Sequence, residues 1–366
     1  WGHANKGVKV TVTLGGVTRT AVANDLQQWS VQFPAFKAVS KPITLTVDAS
    51  HGHSRKVSGI LVGDVWYLTG SMQLTREWAH NQRDKTSMLP KAMPLVREFK
   101  KKTKASTFRT PRKRRFETGG GRYRSSWMAA DFSAAGKGVT MFAYHFAKTL
   151  NRPGIPQGFI TMSAGQGGRA GQMASPLSWT SFQGVKNLKN PDFKDRLNEL
   201  FLQFPNTDIA KKAADNHIKE VKAFVKSILD AAKAGADLSK AVPLQAPAFP
   251  EAGRNSSVRS DTIPTYAYNW CVSPMTPMAV AGVIWVPSEQ NIGHTPATYA
   301  AEMEVYAKSL PGTYGQDKVQ FIYAQPASSL VKGITAPKIP TAKSVTFHQW
   351  PKSLKNLAIE MAKQAK

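Results

Sequence analysis

Apolar and polar positions alternate along the first sixty residues. Val8-Lys9-Val10-Thr11-Val12-Thr13-Leu14 has the period of two that marks a half-buried strand, and Gly15-Gly16 turns it. Gln28-Trp29-Ser30-Val31-Gln32-Phe33 and Ile43-Thr44-Leu45-Thr46-Val47 repeat the pattern. Three or more short antiparallel strands predict a small β-sandwich-like segment over residues 1–60. The pattern then changes to a run without alternation. Leu61, Val62, Val65, Trp66, Tyr67 and Leu68 read as one short buried strand that ends at Thr69-Gly70-Ser71. In open α/β sheets the carboxyl end of a strand is where reacting groups collect. A plain tight turn at Gly70-Ser71 is the competing reading.

From Gly138 onward, strand and helix periods alternate. Met141 to Leu150 has helical spacing and is stopped by Arg152-Pro153-Gly154. Gly158 to Met162 reads as a strand, followed by a glycine-rich loop from Ala164 to Gly168. Residues 192–235 read as mainly helical, with Val221, Phe224, Val225, Ile228, Leu229 and Ala232 on one face and Gly235 as the stop. Val280 to Val286 and Val319 to Ala324 read as strands, with a helix near 296–308 between them. Val345 to His348 precedes a last helix opened by Pro351, whose inner face holds Leu354, Leu357, Ala358, Met361 and Ala362. This order predicts an α/β fold, a mainly parallel sheet flanked by helices over residues 61–366.

Composition narrows the class. A chain of 366 residues with 42% hydrophobic content suits two domains, or one large domain with an accessory piece. No apolar run approaches the ~20 residues of a spanning helix. The chain begins at Trp1 rather than Met, which reads as a processed chain of the periplasm or the exterior. Cys271 is the single cysteine, so no internal disulfide forms, and its apolar neighbours suit a buried thiol.

Charge changes the picture most. With 49 Lys and Arg against 23 Asp and Glu, the formal net charge is +26, a field that draws polyanions. Solubility or a saline habitat would also account for such an excess. The basic residues concentrate in a loop insertion at 97–124, where 12 Lys and Arg face Glu98 and Glu117. Lys101, Lys102, Arg112, Arg114 and Arg115 in this loop are candidate contacts to an anionic ligand. Phe99, Phe108, Phe116 and Tyr123 are interleaved and could stack on bases or sugar faces. No zinc-finger, RRM or helix-turn-helix signature accompanies them, so nucleic acid is the weaker partner. The absence of GxGxxG and Gly-Lys-Ser/Thr argues against a nucleotide, and no cofactor is implied. His51 and His53 lack further nearby ligands for a metal, and His217 reads as an ordinary helix residue.

Taken in order, these segments resemble the sialate O-acetylesterase family of SGNH (GDSL-like) hydrolases. Gly63-Asp64-Val65-Trp66 with Thr69-Gly70 is similar to the GDVW block that carries that family's nucleophile. Residues 142–160 are similar to its helix and following strand, and Gly167-Gly168 with Ser178-Trp179-Thr180 to its GGT segment. Tyr268-Asn269-Trp270 resembles its YNG run, Gly282 to Trp285 with Glu289 and Asn291 its WYQGESN run, and His348 with Lys352 its terminal HPxxK. The resemblance implies a three-layer, flavodoxin-like domain preceded by a β accessory segment. It also implies a serine esterase acting on a carbohydrate.

The chemical positions depart from that pattern. Met72 stands where the family has its Ser, and Ser71 lies one position earlier. Val345 stands where an SGNH enzyme has the Asp that orients its His, and Pro287-Ser288-Glu289 replaces the family's Gln-Gly-Glu. The esterase reading therefore assigns Ser71 as nucleophile, His348 as base and Glu289 as the nearest motif carboxylate to orient it. Gly70, Gly167, Gly168 and Asn291 are the expected oxyanion donors. The alternative is an SGNH-fold protein with impaired catalysis that holds an anionic polysaccharide.

Overall fold

The computed structural model describes residues 1–71, 73–76, 91–100, 126–132, 138–162, 175–202, 207–237, 247, 263–289, 292 and 296–366. The N-terminal alternation produces strands β1 (Gly2–His3), β2 (Lys9–Leu14), β3 (Val17–Val22), β4 (Gln28–Trp29), β5 (Val39–Ala49) and β6 (Ser54–Val62). Four of them form an antiparallel sheet in the order β3-β2-β5-β6, and β1 pairs with β4. Val10 and Val12 of β2 are buried. Gly15 and Gly16 both have positive φ (55° and 83°), the two-residue turn whose twist suits a hairpin. The strand expected over 28–33 is confined to Gln28–Trp29, and the chain then runs without regular structure to Val39.

The apolar run expected to be one strand is divided between two sheets. β6 ends at Val62 and β7 (Asp64–Gly70) begins after a single intervening residue. Gly63 is the joint. A Cβ there would lie 2.0 Å from the Pro156 carbonyl oxygen, which also accepts the Asp64 amide at 2.9 Å. Only glycine permits that close approach.

β7 is the middle strand of the larger sheet. Its companions are β8 (Met93–Lys100), β9 (Ser126–Ala130), β10 (Gln157–Thr161), β11 (Gly282–Val286), β12 (Gln320–Pro326) and β13 (Lys343–Phe347). The order is β13-β12-β11-β7-β10-β8-β9, parallel throughout except for β8 with β9. The architecture is therefore mixed α/β, a large mostly parallel sheet preceded by a smaller antiparallel one, consistent with an SGNH-like hydrolase fold. The start of the expected basic loop, Arg97–Lys100, belongs to β8 instead.

Successive strand residues face opposite layers. Trp66, Leu68, Ile284 and Ile322 pack against Phe142, Phe146, Leu357 and Met361. These belong to α2 (Met141–Leu150) and to α7 (Lys355–Ala365), which lie against each other. Thr140 caps α2, its hydroxyl accepting the Ala143 amide, and Asn151 ends it in the left-handed conformation. Tyr67, Val283, Trp285, Phe321 and Tyr323 face the other way, onto Met303, Tyr306 and Leu310 of α6 (Pro296–Tyr314). Beside α6 a third cluster joins Leu177, Val185 of α3 (Phe182–Val185), Phe193, and Leu197 and Leu200 of α4 (Lys194–Phe201). It is tied by a buried ion pair, Arg196 to Glu302 at 2.8 Å. The 26-residue α5 (Asp208–Lys233) is different: its apolar stripe is not a core face, since Val225 and Leu229 are about half exposed.

On α2, His145 lies near Lys148 and Lys355. Partial burial, then the two ammonium charges, hold its pKa down at about 4.

Candidate active site

The candidate site is built at the carboxyl edge of the parallel strands. β7 ends at Gly70, whose φ is +107° and whose missing Cβ would lie 2.2 Å from the Val286 carbonyl oxygen. The next residue, Ser71, donates its amide to that same oxygen at 2.6 Å. Its hydroxyl oxygen accepts the Gln73 amide at 3.2 Å, and its carbonyl accepts the Leu74 amide at 3.1 Å. Ser71 thus starts the short α1 (Gln73–Arg76), and fully buried Leu74 anchors that turn in the core. Two chemical consequences follow. The hydroxyl accepts from Gln73, and among the described residues it donates to no acceptor. The amide is already spent on Val286, so it does not serve an oxyanion. Ser71 is itself buried, with 2% of its surface exposed.

Glu289 lies three residues beyond β11, the direct neighbour of β7, and is exposed. His348 follows β13 and is also exposed. All three side chains leave the same edge of the sheet. β11 and β12 separate β7 from β13, three interstrand steps or ~14 Å across the sheet. The chain beyond His348 leans onto the α6 face, where Trp350 packs against that core and edge-on to Phe347 at 5.2 Å. Among the described residues, no hydrogen bond joins Ser71, Glu289 and His348. Val345, at the family's Asp position, packs against the α2 and α7 core and offers no carboxylate. Met72, Gly167, Gly168, Asn291, Lys101, Lys102, Arg112, Arg114 and Arg115 lie outside the described residues.

The structure adds one group that the sequence reading placed in a charged loop. Glu98 of β8 is fully buried. Its carboxylate accepts the Thr140 amide at 2.6 Å, the Thr140 hydroxyl at 2.8 Å and the Thr161 hydroxyl at 2.5 Å. It therefore ties the start of α2 to the end of β10, one strand from β7. A negative group at a helix N-terminus is electrostatically favourable. The signal in the sequence was a lone acid between Val96 and Phe99, two apolar residues of strand type. At the same edge, Thr69 Oγ1 and Gln325 Oε1 are buried with no hydrogen-bond partner among the described residues, both on the sheet face that carries Tyr67 and Tyr323. Among the described residues, no group of three His, Cys, Asp or Glu side chains could hold a metal ion.

No protein-family model matches the sequence, and no curated protein matches it. The fold is similar to that of a carbohydrate acetylesterase from Xanthomonas citri, at 19% sequence identity and a TM-score of 0.61, covering 100% of this chain and 68% of that one. A protein from Arabidopsis thaliana matches at 9% identity with a TM-score of 0.35, covering 83% of this chain and 98% of that one. At these identities what the chain shares with the bacterial acetylesterase is its fold.

Proposed function

We propose that this chain is a serine esterase of SGNH type that removes acetyl or similar acyl groups from carbohydrate. The observation that carries the reading is Ser71: a hydroxyl that donates to no acceptor among the described residues, at the tip of the central parallel strand and the start of a helix turn. The likeness to a carbohydrate acetylesterase fold supports it. In this reading Ser71 Oγ attacks the acyl carbon while His348 takes the hydroxyl proton. The tetrahedral intermediate collapses, the sugar oxygen leaves with that proton, and water then releases the acid from Ser71 by the same route. Gly70, Gly167, Gly168 and Asn291 would supply the oxyanion donors, since the Ser71 amide is bound to Val286. Glu289 would orient the imidazole. Lys101, Lys102, Arg112, Arg114 and Arg115 would draw an acidic or sulfated glycan to the site.

A second reading is an SGNH-fold protein that binds an anionic polysaccharide without cleaving it. The burial of Ser71, together with Met72 at the family's nucleophile position, favours it. A fluorophosphonate probe followed by peptide mass spectrometry separates the two. The esterase labels at Ser71 and turns over p-nitrophenyl acetate, and Ser71→Ala loses both, turnover falling by about 10³-fold or more. No label and no turnover in the native chain would leave the binding reading.

A further inference from the structure

A cavity opens at the amino edge of the parallel sheet, opposite the candidate site. It measures about 370 Å³ and lies between β6 and the first residues of β7 and β10, with β8 and β9 forming its far wall. Such a volume falls in the range of small-ligand sites. It is ~20 Å from Ser71, the length of β7 at about 3.3 Å per residue.

Its lining combines a flat apolar surface with fixed polar groups. Trp127 of β9 lines it with 46% of its surface exposed, unusual for an indole. The ring lies over Gly158, where an added Cβ would come within 3.3 Å of it, and leans against Phe99 at 5.8 Å. Arg97 is held in place by donating to the Gly59 carbonyl at 2.5 Å. Asp64 is held by Arg152 at 2.7 Å.

We infer that this cavity is a carbohydrate subsite, separate from the esterase centre, that takes a neutral pyranose unit of a glycan chain. An aromatic face matches the C–H face of a sugar whose hydroxyls are equatorial. Those hydroxyls then donate to Asp64 and accept from Arg97. Asp64 is already paired with Arg152, which leaves the Arg97 guanidinium as the other charged group in a lining that is otherwise uncharged. The inference does not rest on Ser71 being a nucleophile.

Native affinity electrophoresis tests it, with hydroxyethylcellulose, arabinoxylan or galactomannan in the gel. The native chain is expected to be retarded by at least one of these neutral polymers. Trp127→Ala should weaken that retardation about tenfold, the scale of a lost stacking surface plus its burial. Leu61→Trp, which fills the cavity from the β6 wall, should abolish it, so the test survives if Trp127→Ala is unstable. Retention on heparin and turnover of p-nitrophenyl acetate should not change in either variant. Migration of the native chain unaffected by all three polymers, or native-like retardation of Leu61→Trp, overturns the inference. Loss of esterase turnover in the native chain would sink the catalytic proposal and leave this one standing.

Discussion

The Ser71 amide donates to the Val286 carbonyl at 2.6 Å, and this bond fastens the tip of β7 to the tip of β11. The same carbonyl oxygen fills the space beside Gly70, where an added Cβ would lie 2.2 Å away. Gly70→Ala should therefore be strained twice, by its φ of +107° and by the clash. We expect a loss of roughly 2–4 kcal/mol in urea unfolding, together with misplacement of Ser71. An alanine variant of native stability would mean that the two strand tips are not held as described.

Glu98 answers with an equally specific test. Its carboxylate receives three donors from Thr140 and Thr161. Glu98→Gln keeps the shape but turns an NH2 toward at least one of those donors. The expected cost is about 1–3 kcal/mol, and hydrogen exchange should accelerate first in the opening turn of α2. Exchange spread evenly over the sheet would argue against this carboxylate as the anchor of the helix.

Much of this arrangement could be read from the residues alone. The helical spacing from Met141 and the Arg152-Pro153-Gly154 stop behind it mark α2, and the helix occupies Met141–Leu150 as expected. β10, β11 and β12 were also legible, because β-branched and aromatic residues run together where both faces of a strand are buried. β8 was not. Pro94, Arg97, Glu98 and Lys100 break its apolar pattern, and what makes Glu98 a core residue is a pair of threonines 42 and 63 positions away. The division at Gly63 was equally hidden, since no periodicity shows that the next strand belongs to a different sheet. At the site, the sequence indicated which strand ends carry Ser71, Glu289 and His348. The three interstrand steps between β7 and β13 are a property of strand order, which local pattern does not encode.

His145 gives a pH dependence whose sign is fixed. Burial and the charges of Lys355 and Lys148 lower its folded pKa to about 4 from an ordinary value of 6.5. Between those limits the unfolded chain binds a proton that the native chain does not, so stability rises with pH. The contribution is complete above about 6.5 and is lost as pH falls toward 4. Thermal unfolding from pH 4 to 8 should show this slope, and His145→Gln should flatten it. A variant with the same slope as the native chain would assign the dependence to other groups.

The buried pair of Arg196 and Glu302 should behave asymmetrically. Glu302 also accepts the Thr298 hydroxyl at 3.1 Å and the Leu177 amide at 3.4 Å. Glu302→Ala strands the guanidinium in a dry site and should cost about 3–5 kcal/mol. Arg196→Met combined with Glu302→Met should cost less than the sum of the single changes in chemical denaturation. Additive costs would show that the two side chains act independently.

The packing of α7 on α2 bears on how the chain acquires its shape. Phe142, Phe146 and the Trp66 face of β7 are made early in synthesis, while Leu357, Ala358, Met361 and Ala362, which cover them, come some two hundred residues later. During translation that aromatic surface must wait uncapped as the rest of the polypeptide emerges. A nascent chain halted before residue 355 should therefore hold chaperones longer than the finished one.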